Sequence, residues 1–220
     1  MGFRSMVLDL LFPPRCVFCR SFLKRESIHI CPQCEDSLPF CEGDAVLQEG
    51  DAYTLCLSPL YFTDHVRKSL HRFKFEDARG YRRTYSKLLA DCIQIHYEGK
   101  YDIISWVPVS AERRKKRGYD QAMLLALATA LELDDVAVET LRKVKDVTPQ
   151  SDLGGRDERQ ANISGAYAAT DIELIAGKRV LLIDDVVTTG ATLGEGANCL
   201  LDAGAAEVLC ATLARAAGQV

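Results

Sequence analysis

Lys178-Arg-Val-Leu-Leu-Ile-Asp-Asp-Val-Val-Thr-Thr-Gly-Ala-Thr-Leu193 is the stretch on which the reading of this chain turns. Val180 to Ile183 is an unbroken aliphatic run, the pattern of a central parallel strand covered on both faces. Two acids, Asp184 and Asp185, close that strand, and Val187, Thr188, Thr189, Gly190, Ala191 and Thr192 lead into a helix expected over Leu193 to Asp202. Hydroxyls, a glycine and a helix N-terminus donate several hydrogen bonds toward one point, and the helix dipole favours a phosphate there. Adjacent carboxylates at a strand tip are costly without partners, whereas ribose hydroxyls and Mg2+ would satisfy both.

Working back along the chain, Tyr101 to Val107 reads as a second buried strand, ended by Pro108. Ala111 to Gly118 then places five consecutive cations, Arg113 to Arg117, in what is expected to be a loop, with a helix from Ala122. Five like charges repel, so such a segment is most comfortable beside an anion. The order strand, basic segment, helix puts that anion at the carboxyl end of a strand, where open α/β sheets bind ligands. A mainly parallel sheet over about 102–108, 179–184 and 207–213 is therefore expected, with 137–145 and 163–169 as a hairpin-like pair. Between that pair, polar Thr148 to Asn162, with Gly154-Gly155 as a hinge, reads as a mobile loop.

The middle of the chain is helical. Val66, Leu70 and Phe73 give one apolar face and Leu88, Leu89, Cys92, Ile93 and Ile95 a second. Between Arg67 and Lys87 stand eight Lys and Arg against Glu76 and Asp77, an anion-facing surface. Aromatics interleave with the cations in His71-Arg72-Phe73-Lys74-Phe75 and around Tyr81-Arg82-Arg83, the mixture that single-stranded nucleic acid needs for stacking and backbone contacts. Arg72, Lys74, Arg82 and Arg83 are its candidate contacts, while Phe73 and Tyr85 are assigned to the core.

The first fifty residues have a different character. Five of the nine cysteines lie between Cys16 and Cys41. Cys16-x2-Cys19 and Cys31-x2-Cys34 form two thiolate pairs, the spacing that completes a tetrahedral four-sulfur shell. Such a shell suits zinc, with an iron-sulfur cluster as the other reading. It leaves no open coordination position, so its role is structural or docking. Cys41, Cys56 and His29 belong to no pair and are read as non-ligands. The apolar stretch Met6 to Phe12 is interrupted by Asp9 and ended by Pro13-Pro14, which suggests a short docking helix rather than a signal peptide. The composition changes near residue 51, which divides the chain into a metal module over 1–51 and a second domain over 52–220.

With 220 residues the chain is long enough for one ordinary domain and a small one. Apolar residues at 48% and charged residues at 26% exclude wholesale disorder. No run approaches the 18 apolar residues or so of a membrane span, and a cytoplasmic protein is expected. The net charge of -4 conceals a division: residues 1–118 hold 19 Lys and Arg against 15 acids, residues 119–220 only 8 against 16.

Val180 to Leu193 resembles the phosphoribosyl pyrophosphate (PRPP) motif of type I phosphoribosyltransferases. Three further pieces narrow the resemblance: the two Cys-x2-Cys pairs; Pro108-Val109 followed by Arg113-x3-Arg117-Gly118-Tyr119-Asp120-Gln121-Ala122; and Thr148-x-Gln150-x2-Leu153 with Arg159, Asn162 and Gly165-Ala166-Tyr167. Together they are similar to the competence protein F (ComF) family and its GntX-like relatives over essentially the whole chain. Asp120 stands where that family usually has Asn, and Ser110 where it usually has Pro. Thr188 replaces the acid that oxopurine salvage enzymes carry, which disfavours hypoxanthine or guanine.

The resemblance implies an α/β fold of the type I phosphoribosyltransferase kind, a parallel sheet with helices on both faces beside an N-terminal four-cysteine zinc module. It implies that Asp184 and Asp185 take the ribose hydroxyls, directly or through Mg2+, that Thr188 to Thr192 hold the 5-phosphate, and that Arg113 and Arg117 face the pyrophosphate. Arg159 is the cation that the mobile loop would deliver as a catalytic group. The family name implies PRPP binding in DNA uptake or DNA utilisation, with single-stranded DNA and other uptake proteins as partners. A transferase acting on an unidentified amine or base is the alternative, since no residue identifies the acceptor.

Overall fold

The computed structural model describes residues 13–23, 30–144 and 165–217. Its strands are β1 (Leu47–Gln48), β2 (Cys56–Leu57), β3 (Leu60–Tyr61), β4 (Ile103–Trp106), β5 (Leu141–Lys143), β6 (Tyr167–Ala169), β7 (Arg179–Val187) and β8 (Glu207–Arg215). The helices are α1 (Pro32–Ser37), α2 (Asp64–Phe75), α3 (Arg82–Tyr97), α4 (Ala111–Arg117), α5 (Gln121–Glu132), α6 (Ile172–Ile175) and α7 (Ala191–Asp202). β7 lies between β4 and β8, and β8 is flanked on its other edge by β2 and β3; all these pairs are parallel, and β1 adds antiparallel to β2. β5 and β6 form a separate antiparallel pair, Lys143 opposite Tyr167 and Leu141 opposite Ala169.

The two faces of β7 explain the layers. Leu181 and Ile183 enter a core built by Val66, Leu70 and Phe73 of α2, Tyr85 and Leu89 of α3 and Leu125 of α5. Val180 and Leu182 enter a second core with Leu193, Ala197 and Leu200 of α7. Four successive residues are fully buried because both faces are covered, as a doubly covered parallel strand requires. α7 sits close enough that a Cβ on Gly196 would lie 3.2 Å from Leu182 Cδ2 and 3.3 Å from Leu141 Cδ1.

Some expectations change. β7 runs through both acids to Val187 instead of ending at them, because the ladder to β8 continues from Asp184 opposite Thr212 to Val187 opposite Arg215. The basic segment is a helix, α4, not a loop. Ser110 caps it by accepting a 3.2 Å hydrogen bond from Arg113 N, and Gly118 ends it at a φ of 78°. A helix spreads five adjacent cations around its circumference and places them near its negative C-terminus. Ile95, counted with the buried face of α3, is 76% exposed. The stretch Thr148 to Asn162, Arg159 within it, the Met6 to Phe12 segment and His29 lie outside the described residues. Among the described residues, no helix is long and apolar enough to cross a membrane.

Candidate functional site

The loop after β7 opens α7 on a glycine. Gly190, at a φ of 78°, occupies the N-cap of α7 and supplies no side-chain cap to its first turn. A side chain there would be strained, and a Cβ would lie 2.8 Å from Tyr53 Oη. Ala191 N makes a long 3.4 Å bond to Thr189 Oγ1, and the next amide groups of the first turn remain available to a bound group. Asp184, Val186 and the residues from Val187 to Leu193 enclose a small cavity of about 30 Å3 at this point.

Beside it opens a cleft of about 310 Å3 lined by Asp184, Asp185, Lys74, Arg113, Arg117, Gln121, Lys143, Tyr167, Thr188 and Thr192 among others. Successive strand residues point to opposite faces, so the two acids differ in their surroundings. Asp185 meets α2, where Lys74 Nζ lies 2.9 Å from Oδ1 and 2.8 Å from Oδ2. Asp184 accepts a 2.7 Å hydrogen bond from Asp185 N. Burial, and then the neighbouring Asp185 charge, push the Asp184 carboxyl up to about 8. One carboxylate is thus paired and the other is held in need of a partner.

Arg113 and Arg117, one turn apart on α4, both face the cleft. Arg117 Nη1 donates to Gln121 Oε1 at 2.7 Å, and its guanidinium lies 4.7 Å from the centre of the Phe75 ring. Asp120 is buried and caps α5: Oδ1 accepts from Met123 N at 3.0 Å and Oδ2 from Val109 N at 2.9 Å. Both bonds need only an acceptor oxygen at each place, which ties the loop after β4 to α5. Lys143 reaches the cleft without being marked by any sequence pattern, and Gln121 and Tyr167, quoted above within motifs but given no role, line it too; Lys143 and Tyr167 lie opposite each other in the β5–β6 pair.

The four cysteines named from their spacing converge. The Sγ atoms of Cys16, Cys19, Cys31 and Cys34 all lie within 4.8 Å of one another. Zn–S bonds of about 2.3 Å would set tetrahedral edges of about 3.8 Å, and Cys19 Sγ to Cys31 Sγ is 3.4 Å. Cys31 N lies 3.5 Å from Cys16 Sγ as a donor, and Cys31 also precedes α1, accepting at its carbonyl from Cys34 N. Such a donor set fits a structural zinc. Cys41 and Cys56 are buried outside this group.

Of the four cations named for nucleic acid, the structure places two elsewhere. Arg72 Nη2 donates to Val17 O at 2.9 Å and Phe18 O at 2.6 Å, joining α2 to the turn between Cys16 and Cys19. Ser69 Oγ adds a 2.5 Å bond to the same Val17 O. Lys74 is on Asp185. Arg82 Nη1 donates to Arg79 O at 3.0 Å, and Arg83 is exposed.

A phosphoribosyl transferase domain is recognised over residues 120–219 and a double zinc ribbon domain over residues 7–53. The chain is 30% identical to "Competence protein ComFC" of Bacillus subtilis (strain 168), covering 91% of this chain and 83% of that one. It is 30% identical to "Competence protein F" of Haemophilus influenzae over 92% of this chain and 97% of the relative. "DNA utilization protein YhgH" of Salmonella typhimurium matches at 30% over 86% and 87% of the two chains. Identity at this level over most of both chains, on a fold that carries the cysteine cluster and the glycine loop after β7, shows that this chain belongs to the competence protein F (ComF/ComFC) family.

Proposed function

We propose that the chain binds PRPP in the cleft at the end of β7 and acts in the uptake or utilisation of DNA. The observation that carries the first half is the juxtaposition of an uncapped helix N-terminus at Gly190 with two acids and the α4 cations around one cleft. The names of the relatives support the second half. In this reading the Thr188 to Thr192 loop holds the 5-phosphate, Asp184 and Asp185 accept from the ribose hydroxyls, and Arg113 and Arg117 face the pyrophosphate.

Two carboxylates beside a phosphate-bearing ligand are a donor set that fits Mg2+, a hard cation usually held by one or two carboxylates and substrate phosphates. When bound it supplies neutralisation of the pyrophosphate charge. If the C1–pyrophosphate bond breaks, positive charge grows on the ribose and negative charge on the departing group. Arg113 and Arg117 then stabilise that transition state more than the ground state. Single-stranded DNA would use surface that the fold leaves open: Arg83, the outward Arg114, Lys115 and Lys116, and the Phe75 ring, which is 52% exposed.

Calorimetry with PRPP and Mg2+ tests the site. Asp184→Asn with Asp185→Asn removes the ribose partners, and PRPP affinity falls more than tenfold, about 1.4 kcal/mol, while binding of single-stranded DNA survives. A double variant that binds PRPP like the parent refutes the reading. Pyrophosphate release in a screen of amine and base acceptors tells a transferase from a binding protein.

A further inference from the structure

We infer that Lys74 is an exchangeable counter-ion of the acidic pair: it closes Asp185 in the ligand-free protein and moves onto the anionic part of the ligand when the cleft fills. The inference rests on the PRPP reading of the cleft. Lys74 comes from the last turn of α2, well outside the β7 motif, yet its ammonium contacts both oxygens of Asp185 at 2.8 and 2.9 Å. Asp185 is 8% exposed, so little of it remains for a hydroxyl or a metal while that contact lasts. A buried carboxylate needs a counter-charge, hydrogen-bond donors or a proton, and at Asp185 in the ligand-free protein the structure provides the lysine.

The same cleft contains a place for the ammonium to go. Arg113 and Arg117 border it together with Gln121, a residue 1% exposed whose Nε2 has no hydrogen-bond partner among the described residues. A buried donor left unpaired is costly, and Gln121 lines the cleft together with Arg113 and Arg117, an arrangement that an anion completes. Lysine suits the exchange because its charge is a compact point on a flexible four-carbon stem, able to turn from one oxygen partner to another without rebuilding a fork. Arriving ribose hydroxyls or a divalent cation replace the ammonium at Asp185, and the ligand's pyrophosphate receives it. The acids are thus neutralised in both states, and an isolated divalent cation is kept off Asp185 until the anion that accompanies it arrives.

Two titrations test this on the full chain. Substrate-free parent, Lys74→Met and Lys74→Arg are titrated with Mn2+ by electron paramagnetic resonance of the free ion, and each is titrated with PRPP in Mg2+ by calorimetry. Lys74→Met is expected to bind Mn2+ about tenfold more tightly and PRPP about tenfold more weakly, the weight of one charge-assisted contact in each direction. Lys74→Arg, whose fork grips a carboxylate more firmly, is expected to bind Mn2+ more weakly than the parent, and it keeps the question open to test if the Met variant does not fold. A Met variant with parental or tighter PRPP binding overturns the exchange, because the lysine then stays on Asp185 in the loaded state. Unchanged Mn2+ affinity in the variants overturns the closure. A parent with no PRPP affinity refutes the PRPP reading by itself; the Mn2+ titrations, made on substrate-free protein, still decide whether Lys74 guards Asp185.

Discussion

The contact between the cysteine module and α2 yields the most quantitative expectation. Arg72→Met keeps an apolar stem of similar reach and deletes the guanidinium that donates to Val17 O and Phe18 O. Hydrogen bonds from a charged donor contribute about 1.5–3 kcal/mol each, and an abandoned buried acceptor costs about 1–3 kcal/mol. Of the two carbonyls, Val17 O retains Ser69 Oγ and only Phe18 O is abandoned, Phe18 being 2% exposed; the 3.3 Å bond from Arg72 Nε to Tyr81 Oη is also lost, at a half-buried residue that water can reach. Arg72 itself is only half-buried, so water reaches the vacated space and discounts the combined range of about 4–9 kcal/mol to just below its lower end, about 3 kcal/mol. For a chain of this size 1 kcal/mol moves the midpoint by about 2–4 °C, and the variant should melt about 6–12 °C below the parent. Thermal unfolding followed by circular dichroism, with zinc content measured on the same samples, reads the effect. Arg83→Met, at an exposed position in the first turn of α3, serves as the control and should move the midpoint by no more than an ordinary surface change. If Arg72→Met melts with the parent, the two carbonyl bonds do not fasten the module to α2 and the reasoning fails.

Elemental analysis should find one zinc per chain, lost in Cys34→Ser and unchanged in Cys41→Ser, since Cys41 lies outside the four-sulfur group. Gly190→Ala should destabilise the protein by about 1–2 kcal/mol from the left-handed backbone alone and weaken phosphate binding, because the new methyl meets Tyr53 Oη at the mouth of the loop; a variant with parental stability refutes the strain argument. The raised Asp184 carboxyl sets a pH dependence: the folded state holds a proton that the unfolded chain releases from the ordinary value of 3.8, so stability of the ligand-free protein falls as pH rises from about 4 toward about 8. Denaturant midpoints measured from pH 5 to 8 should show this decline, and it should flatten in Asp184→Asn.

Local chemistry explains which parts of this protein are legible in the sequence. The aliphatic run of β7, the two acids, the threonine and glycine loop and the paired cysteines are contiguous patterns, and each constrains backbone and chemistry within a few residues of itself. Strand burial on both faces is legible for the same reason, because a continuous apolar run admits no solvent face. The basic segment reads as a loop when mutual repulsion is weighed without the caps at Ser110 and Gly118, although both residues stand in the sequence. Tertiary structure alone decides what the cations do. Lys74 and Asp185 are 111 residues apart, Arg72 and Val17 are 55 apart, and Lys143 and Tyr167 reach the cleft only through a hairpin whose register is set by pairing. Periodicity shows that a helix has a polar and an apolar face, but neither periodicity nor charge counts say which helix end meets which strand. Arg72 and Lys74 carry the same sign two positions apart on α2; one fastens the cysteine module and the other closes an acid of the cleft, because residues two apart on a helix point in different directions toward different neighbours.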